Sequence, residues 1–379
     1  MPLIESTSNL VAGMVSFNGL IPIFGTTGIY GVSETELGLM VIPSYNDWMG
    51  RIKNSSYDSS GPTGAWAQEW WTVNNYLQYG GTCVIGATGS TGDYYSSTGV
   101  LSSTYTPLHS KDIVLDVVFE GGSTASAQAA AHIAKTRQDC IAFVGNNIDI
   151  SRPINSSGYT FHFRDFGVTA DSEFVSFFAS SKKSIHDVTR WTNTSIIKTT
   201  ASADAAGCLA RTIRTNNIWV SPAGISRGRI LSVVGLSQSF TEAEAQLLYT
   251  GKVNPLQIIP GIGTYLMGNK TSYNGSDPEL AEISTSNLII YLKSKINAIL
   301  SSMLFEANNA SSRSSIVSQI SSLLSGVVST NGITTYKIEC DEYNNTTATI
   351  LAKKLIVDIE VTKDTLVETI VLNFTVNTA

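Results

Sequence analysis

Chemistry that relies on histidine, cysteine or an activated serine has few places to sit in this sequence. The four histidines are His109, His132, His162 and His186. None forms a His-x-x-x-His or His-Glu-x-x-His pair, the spacing that puts two imidazoles on one helix face for a metal. His132 falls in an Ala-rich helical stretch and reads as a packing or surface residue. His186-Asp187 stands near Lys182, Lys183 and Arg190, a cationic cluster that reads as a solvated face or a subunit contact. Cys83, Cys140, Cys208 and Cys340 are at least 57 residues apart, so no Cys-x-x-Cys pair exists for zinc or redox work. They read as buried apolar thiols. A hydrolase nucleophile needs a strained turn such as Gly-x-Ser-x-Gly. The nearest cluster, Gly86-Ala-Thr-Gly-Ser-Thr-Gly92, has the wrong spacing and the composition of a loop. Gly261, Gly263 and Gly268 do not make a dinucleotide fingerprint, and no phosphate loop is present. Asp341-Glu342-Tyr343-Asn344-Asn345 lacks the spaced ligands and the glycine of a calcium loop and reads as a turn between strands. No catalytic residue, metal ligand or cofactor site is assigned.

Composition points the same way. Charged residues make up 14% of the 379, against about 25% in an ordinary soluble domain. Ser, Thr, Asn and Gly fill the gap. A surface short of ions is easier to desolvate against other protein, because burying a hydroxyl with a partner costs far less than burying a charge. A secreted Ser/Thr-rich protein has a similar profile. The net charge of -6 argues against a general nucleic-acid binder, which needs a basic face to displace counterions. No apolar run reaches the roughly 18 residues of a membrane span. The longest, near 288–304, is broken by Lys293, Lys295 and Asn297. The first basic residue is Arg51, so the cationic start of a secretory signal is missing, and synthesis in a cytoplasm is expected.

The elements that would position any site follow from periodicity. Residues 1–24 contain no Lys or Arg and read as extended chain with turns, an N-terminal arm. From 25 to 235 strand and helix patterns alternate. Helices are expected over 63–80, with Trp66, Trp70, Val73 and Leu77 on one face, and over 124–137 and 204–214. Strands are expected over 82–87, 112–119, 139–144 and 173–179. Alternation of this kind predicts a mostly parallel α/β sheet. From 236 to 365 the pattern changes. Thr241-x-x-Glu244 is a capping box. Residues 256–267 read as strand broken by a turn, and helices are expected over 286–305 and 308–325, giving two helices on a sheet. Leu355, Val357, Ile359 and Val361 alternate as a strand. The fold class is therefore α/β plus α+β. The last stretch, 366–379, places Leu366, Glu368, Ile370, Leu372 and Phe374 on one strand face. An end strand with a bare edge invites pairing with another chain.

Several of these stretches resemble the tail sheath family of contractile phages and related injection systems. Ala134-Lys-Thr-Arg137-Gln-Asp139, continuing as Cys-Ile-Ala-Phe-Val-Gly145, is similar to the family's helix and following strand. Ala206-Gly-Cys-Leu-Ala-Arg211 with Asn217-Ile-Trp-Val-Ser-Pro-Ala-Gly224 resembles its "AG-x-x-A-R" helix and "G-V-W-x-A-P-A-G" strand, which marks Arg211, Trp219, Pro222 and Gly224. Val253-Asn254, Phe305-Glu-Ala-Asn308, Cys340-Asp341 with Asn344-Asn345, and Glu368-Thr-Ile370 resemble further family positions. A Pro-rich turn usual before the "AG" helix is replaced by Thr199-Thr-Ala-Ser-Ala203, and the chain is short for the family.

The resemblance implies a structural subunit, not an enzyme. It implies self-assembly as stacked six-fold rings in a helical lattice, linked by terminal arms exchanged as strands, and contraction that drives an inner tube into the host envelope. The implied partners are other copies, the tail tube protein, and baseplate and tail terminator proteins, with no membrane insertion and no direct nucleic-acid contact. The implied setting is the virion tail, assembled in host cytoplasm. A hydrolase-like α/β protein, active or degenerate, is the alternative, and a surface adhesin is a third reading.

Overall fold

The computed structural model describes residues 18–24, 39–42, 44–46, 48, 67–88, 115–120, 124–145, 172–185, 196–364 and 366. The chain divides into two compact units, Met1–Ala298 and Ile299–Ala379.

The first unit is built on an eight-stranded sheet. Its strands are β1 (Asn18–Phe24), β2 (Leu39–Ile42), β3 (Thr82–Thr88), β4 (Val117–Phe119), β5 (Ile141–Gly145), β6 (Val175–Ala179), β10 (Val253–Ile259) and β11 (Gly263–Leu266), in the order β11-β10-β6-β5-β4-β1-β3-β2. The pairs from β10 across to β3 are parallel, and only β11 and β2 at the edges run antiparallel. The expected mostly parallel sheet is what forms. Both faces are covered, which is why β4, β5 and β6 are apolar at nearly every position rather than alternating. Val117, Phe119, Ile141, Phe143 and Phe178 face helices α1 (Ala67–Leu77) and α3 (Ser202–Thr215). Val118, Ala142, Val144, Val175 and Phe177 face α2 (Thr124–Arg137) and Leu248 of α4 (Glu242–Thr250). The Ala-rich face of α2 lets that helix approach the sheet closely.

A smaller three-stranded sheet, β8-β7-β9, is made by β7 (Ser181–Ile185), β8 (Ile196–Thr200) and β9 (Gly235–Leu236). Its hydrophobic alternation is too short to have stood out from the sequence. The capping box at Thr241 and Glu244 is present on α4. The long helix α5 runs Ile283–Ser301, four residues shorter at its C-terminus than expected. The chain turns there, with Phe305 in the left-handed region at φ 72.

In the second unit, α6 (Ala310–Ser329) is capped by Asn309, whose side chain accepts from the Ser312 amide at 3.0 Å. It buries Arg313, Ile316, Ile320, Leu324 and Val327, a stripe at helical spacing. Strands β12 (Thr335–Glu339) and β13 (Asp358–Thr362) pair antiparallel, with the short helix α7 (Thr347–Leu351) between them in sequence.

Two differences from the sequence reading concern the ends of segments. Asn18–Phe24, the tail of the expected N-terminal arm, is a strand between β3 and β4, registered residue for residue on Thr82–Thr88. Its apolar, Gly-punctuated sequence suits a strand buried inside a sheet. The expected boundary at 235/236 also differs from the division of the units: β10 pairs with β6, so the segment after 236 completes the first sheet. Residues 1–17 lie outside the described residues. So do Glu368, Ile370, Leu372 and Phe374 of the expected C-terminal arm; Leu366 is described and is half-buried.

Candidate functional site

Arg211, one of the residues singled out from the sequence, lies on α3 beside a buried polar cluster. Gly207 lies against the Tyr79 ring so closely that a Cβ would sit 2.2 Å from Cδ2. The glycine lets α3 and the end of α1 close together and brings Tyr79 into a polar cluster. The Tyr79 hydroxyl donates to Asp204 Oδ1 at 2.9 Å and accepts from the Leu231 amide at 2.9 Å. Lys182 Nζ, from β7, donates to the same Asp204 oxygen at 2.9 Å, and both side chains are fully buried. Burial and the neighbouring Asp204 carboxylate push the Tyr79 phenol well above its ordinary range. Burial pushes the Cys208 thiol up to about 12.

Arg211 extends the cluster outward. Its guanidinium lies over the Tyr79 ring, 5.2 Å from the centroid, and donates to the carbonyls of Arg227 and Arg229, the latter at 2.9 Å. Arg214 donates to the carbonyls of Tyr79 and Gly80, the latter at 3.0 Å, closing the left-handed turn at Gly80. These arginines donate to backbone carbonyls just past α1 and in the 227–229 segment. The cluster ties α1, α3, β7 and the 227–231 segment into one piece. Its lysine is held by a carboxylate and its tyrosine stays protonated, so the arrangement fastens elements together and offers no poised nucleophile.

Of the cluster around His186 that reads as a solvated face or a subunit contact, Lys182 is instead fully buried, because β7 turns it inward onto Asp204, while Lys183 is half-buried. His186 and Arg190 lie outside the described residues, as do His109 and His162. His132 is half-buried on α2, its pKa lowered by burial and by Lys135. The four cysteines are buried thiols. Among the described residues no His, Cys, Asp and Glu gather in a metal-holding group, and no helix is long and apolar enough to cross a membrane.

The other motif positions serve local structure. The Trp219 ring meets Tyr291 edge-on at 5.7 Å, and Pro222 is buried. Gly224 sits at φ +88, its amide donating to the Leu266 carbonyl at 2.9 Å. Asn254 is fully buried: Nδ2 donates to the carbonyls of Phe177 and Lys270 at 2.9 and 2.7 Å, and Oδ1 accepts from the Lys270 amide at 2.7 Å. In the second unit, Asn308 Nδ2 donates to the Lys354 carbonyl at 2.9 Å and its Oδ1 accepts from Arg313 at 3.0 Å. Asp341 Oδ1 accepts from the Tyr343 amide at 2.9 Å. Phe305 is 89% exposed. Arg211 and Gly224 therefore belong to one neighbourhood of the first unit, while Phe305, Asn308 and Asp341 belong to the second. The Lys182–Asp204 pair went unread because nothing in its local sequence separates it from a surface lysine.

The second unit carries a different feature. β12 and β13 form a two-stranded sheet whose residues alternate exposed and half-buried. Such a pair is marginal alone in water. Among the described residues no third strand flanks it.

Comparison with known proteins bears directly on these features. Residues 108–272 match the phage tail sheath protein central domain, and 275–377 match the phage tail sheath C-terminal domain. The tail sheath protein of Enterobacteria phage T4 is 33% identical over 189 residues, 50% of this chain and 28% of that protein. That of Vibrio phage KVP40 is 31% identical over 173 residues, 46% of this chain and 26% of that protein. The chain thus matches less than a third of the length of these relatives. The fold is that of the PVC sheath of an extracellular contractile injection system in its contracted state, with a TM-score of 0.71 at 16% identity over 99% of this chain and 96% of that one. The helical sheath of the anti-feeding prophage in its contracted state gives 0.71 at 16% identity over 99% and 97%. With adjoining matches that run from residue 108 to 377, the chain belongs to the phage tail sheath family.

Proposed function

We propose that this chain is the structural subunit of a contractile tail sheath. It polymerises as stacked six-fold rings around a tail tube and shortens to drive that tube through a host envelope. The observation that carries the reading is the two-stranded sheet of β12 and β13, which needs further strands to become a stable layer. Strands supplied by neighbouring copies answer that need. The stretch 366–379, with Leu366, Glu368, Ile370, Leu372 and Phe374 on one face, is one donor, and the chain ahead of β1 is the other. Each inserted strand would make about five backbone hydrogen bonds, worth about 0.5–1.5 kcal/mol each, so single links are moderate and repetition makes the lattice strong.

The same reading assigns partners. Similar chains come from contracted sheath and baseplate complexes, which supports self-association and a baseplate contact. Tube and terminator contacts follow from the family role, as do a place in the virion tail and assembly in host cytoplasm. α5 and α6 are the two helices of the inner, tube-facing part within 236–365. The solvent face of α6, with Ser311, Ser315, Ser318, Ser322 and Ser325 exposed and no charge, suits close packing on the tube. The motif residues, from Arg211 to Asp341, act as structural positions. The hydrolase alternative draws no support from the family matches.

Deleting residues 366–379 tests the strand-exchange step. The truncated protein should remain folded and stay unpolymerised in sedimentation and electron microscopy. Long tubes from the truncated protein would refute strand donation by this segment.

A further inference from the structure

Between Ala205 and Thr241 the chain carries four arginines, Arg211, Arg214, Arg227 and Arg229, and no acidic residue, in a protein whose net charge is -6. Three are tied to carbonyls: Arg211 to Arg227 and Arg229, Arg214 to Tyr79 and Gly80, and Arg227 to Ser221 at 2.7 Å. The side chain of Arg229 is different. It is exposed and makes no hydrogen bond or ion pair among the described residues. It stands at an open cleft of about 400 Å³ lined by residues 229–234 with Gly263 and Thr264. The cleft wall is mixed: Leu231 and Val233, partly packed on the core, and Val234, 56% exposed, stand beside Ser232, Gly263 and Thr264. Its floor is rigid, because the Leu231 amide is fixed on the buried Tyr79 hydroxyl and the Ile230 amide on the Thr264 carbonyl at 2.9 Å. Such a cleft fits an aromatic or aliphatic anchor with a carboxylate beside it.

The second unit carries that chemistry on its surface. Tyr343 is 92% exposed. Its backbone is fixed: its amide donates to Asp341 Oδ1, the Asp341 amide donates to Asn344 Oδ1 at 3.1 Å, and Asn344 Nδ2 reaches the Glu339 carbonyl at 2.8 Å and Asp358 Oδ2 at 2.9 Å. Asp341 and Glu342 flank it directly. Glu339 lies opposite Asp358 across the β12–β13 pair, a like-charge juxtaposition that weakens a sheet unless a cation answers it. Lys337 pairs with Glu339 and Arg313 with Glu342, and among the described residues no cation pairs with Asp341 or Asp358. Residues 299–379 contain eight acidic and five basic residues, a net -3, opposite in sign to the arginine segment.

We propose that Tyr343 of a second copy enters the cleft at Leu231, Val233 and Val234, with the acidic turn of that copy facing Arg229. A tyrosine presented on a fixed turn needs no backbone ordering on docking, and the charges on the two sides are complementary. The contact joins copies through faces other than exchanged strands, and it rests on the sheath reading.

The test uses two full-length variants, Val234→Cys and Tyr343→Cys, mixed before assembly and mildly oxidised. Both positions are exposed and the native cysteines are buried. A disulfide between the two variants is expected, with its yield falling at least fivefold when the first also carries Arg229→Glu. Tubes that form without this cross-link, or a cross-link indifferent to Arg229→Glu, would overturn the contact. So would a chain carrying both substitutions that closes on itself as a monomer. Failure of the unsubstituted protein to form tubes at all would remove the sheath reading, and this contact with it.

Discussion

Replacing Lys182 by Met removes the cation from a carboxylate that has no route to water. Both side chains of the Lys182–Asp204 pair are fully buried, and among the described residues Asp204 keeps only the Tyr79 hydroxyl as a donor, on Oδ1, with no partner at Oδ2. Breaking a buried pair from one side costs about 3–5 kcal/mol, because the remaining charge stays uncompensated. That is roughly a hundredfold to several-thousandfold loss in the folded-to-unfolded ratio. The assay is urea unfolding of unpolymerised protein followed by tryptophan fluorescence. All six tryptophans precede residue 299, so the signal reports the first unit alone. Removing the carboxylate as well, Lys182→Met with Asp204→Leu, should recover about half the loss. The Tyr79 hydroxyl then lacks its acceptor, which costs about 1–3 kcal/mol. A loss under about 1 kcal/mol would refute the view of this pair as the buried tie of the unit.

Further expectations are as direct. Gly207→Ala places a methyl 2.2 Å from the Tyr79 ring and should cost about 1–3 kcal/mol by overpacking, read as a lower urea midpoint in the same fluorescence assay. Gly224→Ala meets no atom within 4 Å, so its cost should be only the left-handed backbone penalty of about 1–2 kcal/mol; a larger loss would mean that Gly224 is packed more tightly than described. Stability should fall with rising pH above 9: the Cys208 thiol holds its proton up to about 12 when folded, whereas the unfolded chain releases it near 9, so the folded state binds the extra proton across that window. Tyr79 and Cys140, also raised by burial, act in the same direction, and a urea midpoint that stayed level from pH 8.5 to 11 would contradict this.

The sequence was readable where a local pattern determines the structure. The capping box at Thr241, the Ala-rich helix over 124–137 and the doubly apolar strands around Val118 and Phe143 all follow from local spacing and two-sided burial. It was opaque where the partner is distant in sequence. Lys182 looks like a surface lysine until Asp204, 22 residues later, is brought beneath it. β1 looks like a loose arm because its partners lie from residue 82 onward. The helix expected over 286–305 stops at Ser301 because the chain turns left-handed at Phe305, a large residue that carries no turn signal. The motif positions Arg211 and Asn254 were found through resemblance; their roles, bridging carbonyls between segments, needed the folded chain.

Electron microscopy of the purified full chain at rising concentration tests the central claim most directly. The account predicts hollow tubes with regular transverse striations and six-fold symmetry in end views. Discrete particles that never grow into tubes, at concentrations where the protein is demonstrably folded, would contradict it.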